Sequence, residues 1–169
     1  MARAAALTAG IWLGLLVASW LVATASFRTA DRVAGPEARP EVAARLVQVR
    51  SEDRRLVLRH LASEINRSMF RIWSGVQAGL GLLLAALAWR LGGAARGLAM
   101  AALLLGLVQA LGLAGPIASL GRSLDFLPRP LPPELGRRFG VLHGAYVLLD
   151  LAKALALIAL SALLLRRPA

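Results

Sequence analysis

Four stretches of the chain stay apolar long enough to cross a bilayer, and the segments between them do not. The first, residues 4–27, carries no charge. At ~1.5 Å per helical residue it reaches ~36 Å, more than the ~30 Å thickness of a hydrocarbon core. Further apolar runs cover about 70–89, 97–117 and 138–165. The pattern predicts an all-α fold, an integral membrane four-helix bundle, with residues 1–169 as a single domain.

Residues 28–68 differ from the spans. They hold nine of the arginines and all but three of the acidic residues, and Gly35-Pro36 and Pro40 break the chain early. From Glu41 onward, Val42, Leu46, Val49, Leu56, Leu61, Ile65 and Met69 recur at helical steps between charges. This predicts an amphipathic helix over about 41–69, running without a breaker into the second span. Such a helix either lies on the membrane surface or extends the span into water.

The ends of the spans carry further signals. Ala23-Thr24-Ala25 after a lone Arg3 has the form of a signal-peptide cleavage site, but the apolar run exceeds a typical signal core, so the first helix is read as retained. Gly10 and Gly14, then Gly75 and Gly79, have the four-residue spacing that lets membrane helices approach closely; Gly106, Gly112 and Gly115 favour close packing in the third span. Trp73 and Trp89 sit near the two ends of the second span, where tryptophan favours the interface. Gly92-Gly93 predicts a tight turn. Residues 119–133, with four prolines, predict a loop or short re-entrant piece, and Pro132-Pro133-Glu134 a helix start. Arg166-Arg167 closes the last helix.

Composition supports this reading. Hydrophobic residues make up 58% of the 169, against about 45–50% in soluble domains. The net charge of +11 comes from 20 basic and 9 acidic residues. That excess suits loops that meet anionic lipid headgroups; no nucleic-acid partner is expected. The partners this predicts are the lipid bilayer and other membrane proteins; the setting expected, in line with the family likeness described below, is a bacterial cytoplasmic (inner) membrane. The chain has no cysteine, which excludes disulfides, thiolate metal sites and cysteine nucleophiles.

Candidate chemistry lies on the fourth span. Asp150 and Lys153 are the charges in its apolar part, and an ionised group at bilayer depth costs at least ~2.5–3.5 kcal/mol. Their spacing of three puts them on one helical face, where they can pair. His143 and Tyr146 follow the same periodicity, so the face reads as a polar stripe turned into the bundle. Gln77 and Gln109, both near mid-span, are the expected partners, because a primary amide in hydrocarbon seeks a bond across helices. This polar centre is either glue that fixes helix register or a site for a small ligand, an ion or a proton. A second group, Asn66, Arg67 and Arg71, with Arg137 and Arg138 at the start of the fourth helix, reads as a polar collar or as a place for an anion or lipid headgroup. Two histidines in one chain, one of them in the first loop, give no haem site. No serine elbow, phosphate-cradling loop or zinc-protease motif is present. No cofactor and no metal are expected, and a non-enzymatic protein is the leading expectation.

Several stretches carry a family likeness. Trp12-Leu13-Gly14 leads through the first span to Phe27-Arg28. Glu64-Ile65-Asn66-Arg67 is followed by Phe70 and Trp73. Arg138-Phe139 precedes Leu142-His143-Gly144, and Gly115-Pro116-Ile117 stands before an arginine-bearing loop. In these the chain resembles the four-helix membrane proteins labelled domain of unknown function 4149, related to eukaryotic transmembrane protein 205. The resemblance spans nearly the whole chain and implies four helices with the first retained. It implies no activity, and Asp150 and Lys153 lie outside its motifs. The reading that follows is a scaffold or accessory subunit; the alternative is a transporter-like bundle that works through the stripe.

Overall fold

In a computed structural model, which describes residues 1–127 and 130–166, the chain folds into five helices, with no strand among the described residues. They are α1 (Ala2–Ala34), α2 (Pro40–Leu46), α3 (Ser51–Trp89), α4 (Gly93–Leu124) and α5 (Pro133–Leu165). All but α2 are long and apolar enough to cross a membrane. Their outer faces say the same: Leu82, Leu111, Leu148 and Leu155 are each more than 60% exposed. So much open leucine is rare on a soluble monomer and suits lipid. The chain is built as a membrane protein.

Helix α1 packs on α3 and α5, and α4 packs on the same two, which closes the spans into a ring. A short turn joins α3 to α4. Gly92 and Gly93 adopt φ of +66° and +52° there, a left-handed conformation that side-chain-bearing residues avoid. The end of the bundle nearest this turn is a dry layer of alanine and leucine. Ala5 and Ala9 meet Leu84, Ala88, Ala95, Ala99, Leu160 and Leu164 in one buried cluster. Small side chains let the four backbones draw together there. Above that layer lies a polar one at mid-height, and a charged one at the end that carries the longer loops.

Three expectations need correction. The amphipathic helix predicted over 41–69 is two pieces. The break falls between Leu46 and Ser51, where Arg50 is extended (φ −54°, ψ 141°) and its side chain bonds Asp53. Valines at 47 and 49 are poor helix formers, while Glu52 and Asp53 favour a new helix N-terminus. The predicted loop over 119–133 begins late, since α4 stays helical to Leu124. A π-helical turn, Val108–Leu113, lies just ahead of Pro116. The wider turn is the kind of distortion that accommodates a proline, which has no N–H to donate. Last, the glycine pairs do not pack inside the bundle. A Cβ added at Gly10, Gly14, Gly75, Gly79, Gly112 or Gly115 would meet open space. The close approaches are at Gly81, against the rings and methyls of Trp12 and Leu103, and at Gly106, against Gln77 and Trp12. Pro128, Arg129 and Arg167, which the loop and helix-end readings include, lie outside the described residues.

Candidate functional site: a buried polar centre

Asp150 and Lys153 sit one helical turn apart on the inner face of α5, 2% and 0% exposed. Their side chains meet at 2.9 Å. An ammonium has three protons to place. Lys153 gives one to Asp150 Oδ1, one to Gln77 Oε1 at 2.7 Å and one to Gln109 Oε1. The carboxylate is equally occupied: Oδ1 also accepts from Gln109 Nε2 at 2.8 Å, and Oδ2 accepts from the Trp20 indole at 2.9 Å. Gln109 further donates to the Tyr146 carbonyl at 2.9 Å. The Tyr146 ring is buried and meets Phe70 edge-on at 5.8 Å.

Each element has a reason to deliver its residue. Gln77 lies on the inner face of α3, one turn from Trp73 and Gly81. Gln109 lies at the start of the π-helical turn, which carries an extra residue and re-aims the side chains around it. Trp20 follows Trp12 and Leu16 at four-residue steps, the face of α1 that enters the core.

Of the stripe residues, the structure brings Tyr146, Asp150 and Lys153 together with Gln77 and Gln109, and it excludes His143. That imidazole is exposed and stacks on Phe139 at 5.8 Å with the planes 7° apart. Periodicity alone places it on the stripe, but the covered part of the face ends at Tyr146. Metal ligation by His143 with buried Asp150 therefore has no basis. Trp20 is the residue that sequence reasoning missed. Its i, i+4, i+8 relation to Trp12 and Leu16 was the available signal.

The collar residues divide. Asn66 is buried against α1, with the Ala23 carbonyl at 3.5 Å. Arg67 is committed to two carboxylates, Glu64 Oε1 at 2.8 Å and Asp125 Oδ2. His60 Nδ1 also reaches Asp125 Oδ2, at 2.9 Å. Burial pushes the Asp125 carboxyl up, but the hydrogen bonds from Arg67 and His60 outweigh it and hold the group below its ordinary value of 3.8. His60, Glu64 and Asp125 have the makings of a metal site, yet the Arg67 guanidinium already takes the place of the cation between the two acids. Arg71, Arg137 and Arg138 are exposed.

Two open pockets flank the loop end, around α1, α2 and the start of α3, and no residue of the polar centre lines either one. The fold and the cluster together define a polytopic helical bundle cross-braced through its middle. Comparison with protein-family models, with curated proteins and with solved structures finds no match for this chain.

Proposed function

We propose that the chain is a non-enzymatic, multi-pass protein of a bacterial inner membrane, acting as a scaffold or accessory subunit among other membrane proteins, and that it belongs with the four-helix family it resembles. The observation that carries this reading is the saturation of the charged pair. All three Lys153 protons and both Asp150 oxygens are engaged by the protein itself. A transport or proton-handling site needs a free position for its ligand and a path to it, whereas a register lock needs neither. Replacing such a pair by apolar residues is often tolerated, so its value lies in specifying one arrangement of helices. The outward-facing glycines, Gly75 and Gly79 on α3 and Gly136, Gly140 and Gly144 on α5, leave faces that another helix can approach closely.

The test is extraction from native membranes in mild detergent, with vesicle reconstitution alongside. A complex of fixed stoichiometry that persists in the Asp150→Asn/Lys153→Met variant is expected, with no protein-dependent proton or ion flux. A monomeric chain that conducts protons, and stops conducting in that variant, overturns the proposal in favour of the transporter-like bundle.

A further inference from the structure

One face of α1 changes character over four turns. Val17 and Leu21 are exposed and apolar, Ala25 follows, and Arg28 and Arg32 complete the row at three- or four-residue steps. The face passes from lipid-facing to cationic where the apolar run ends. From Leu21 to Arg32 it forms one wall of a groove of about 900 Å³ that also takes in Thr24, Asp31 and Glu37. Arg55 of α3 closes the far side, and together with Gly35 and Pro36 it lines an adjoining pocket as well.

The charges of this groove are unbalanced. Asp31 is taken up by Arg59 in a two-bond ion pair, 2.7 Å at each contact. Arg28, Arg32 and Arg55 make no ion pair among the described residues, and Glu37 is the one acid left to them in the lining of this groove. The adjoining pocket holds Glu52, which makes no ion pair among the described residues, and Arg54, whose Nε is enclosed without a hydrogen-bond partner. Leu21 in the groove and Phe27 in the adjoining pocket expose apolar surface alongside the arginines. That mixture suits a layer where acyl chains give way to headgroups.

We infer that this groove binds the phosphate of an anionic phospholipid, held by Arg28, Arg32 and Arg55, with the acyl chains lying along Leu21 and Val17. The recognised chemistry is a phosphate monoanion on an apolar tail. The arginines supply forked donors and charge, and the row of α1 supplies a track of the right polarity order. From Val17 to Arg28 the helix rises ~16 Å, about the thickness of one leaflet's acyl layer, half of a ~30 Å hydrocarbon core. Basic pockets beside transmembrane helices bind acidic lipid headgroups for the same reason.

The full-length chain in mild detergent is titrated with short-chain phosphatidylglycerol, with phosphatidylcholine of the same chain length and with inorganic phosphate, and bound species are counted by native mass spectrometry. Phosphatidylglycerol is expected to bind at least tenfold more tightly than phosphatidylcholine. Arg28→Gln/Arg32→Gln/Arg55→Gln should weaken it by about fivefold per arginine, roughly a hundredfold in all. The corresponding triple lysine variant should retain most of the binding, and Arg3→Gln/Arg90→Gln, at the opposite end of the bundle, all of it. These positions are on the surface, and unchanged helical content by circular dichroism certifies the fold. Equal binding of the two lipids, or indifference to the glutamine variant, overturns the inference. Arginine-dependent binding of inorganic phosphate at the same concentrations identifies a free-phosphate site and removes the lipid from it.

Discussion

The indole N–H of Trp20 meets the Asp150 carboxylate at 2.9 Å across 130 positions of sequence, so the first helix holds a charge that the last one carries. Hydrogen bonds to charged groups contribute roughly 1.5–3 kcal/mol. Trp20→Phe should therefore destabilise the bundle by about that amount, read from the midpoint of unfolding in a denaturing-detergent titration. In an Asp150→Asn background the same change should cost clearly less. Equal costs in both backgrounds would show that the ring packs rather than donates.

Lys153→Met leaves Asp150 buried without its countercharge, which costs roughly 3–5 kcal/mol. Adding Asp150→Asn removes that orphan, so the double variant should melt higher than the single one. Thermal unfolding in detergent gives the comparison. A double variant less stable than Lys153→Met would rule out charge pairing as the role of these residues.

Glycines of similar spacing should respond differently. A Cβ at Gly81 would stand 2.8 Å from Leu103 Cδ1 and 2.9 Å from Trp12 Cη2, and the Trp12 ring is fully buried. Overpacking of this kind costs roughly 1–3 kcal/mol. Gly81→Ala is expected to lower the melting point, and Gly79→Ala, which faces open space, to leave it level or raise it. The reverse order would mean that α3 is turned the other way.

Asp125 links the loop end to acidity. Its folded value lies below the ordinary 3.8, so its ion pair adds stability that is complete above that value and is lost as pH falls through the lower folded one. The parent should lose more stability than Asp125→Asn between pH 5 and pH 3, as followed by helical circular dichroism. Parallel losses in the two proteins would remove Asp125 from the acid response.

The all-α fold and the helices long enough to cross a membrane were legible because burial in lipid demands unbroken apolar length, which any window along the chain reveals. The polar centre was legible for a related reason. A mid-span Asp, Lys or Gln is too costly to leave unpartnered, so the rarity of Asp150, Lys153, Gln77 and Gln109 pointed to one another. The faces of the helices were harder to read. Gly10, Gly14, Gly75 and Gly79 have the spacing of an interface, but spacing does not say whether the neighbour lies inside the chain or outside it. His143 failed on a similar point, since periodicity assigns a direction but not where the cover ends. The break before Ser51 turned on one extended residue, Arg50, in a stretch whose charges suit a helix equally well.

The cluster at mid-height also has an order in time. Trp20, Gln77 and Gln109 belong to α1, α3 and α4, and both charges belong to α5, which is synthesised after those three. Every partner that Asp150 and Lys153 need has left the ribosome before they do. The costly pair thus never has to wait in hydrocarbon for a partner helix still to be made, and α5 enters a slot whose hydrogen bonds are already on offer.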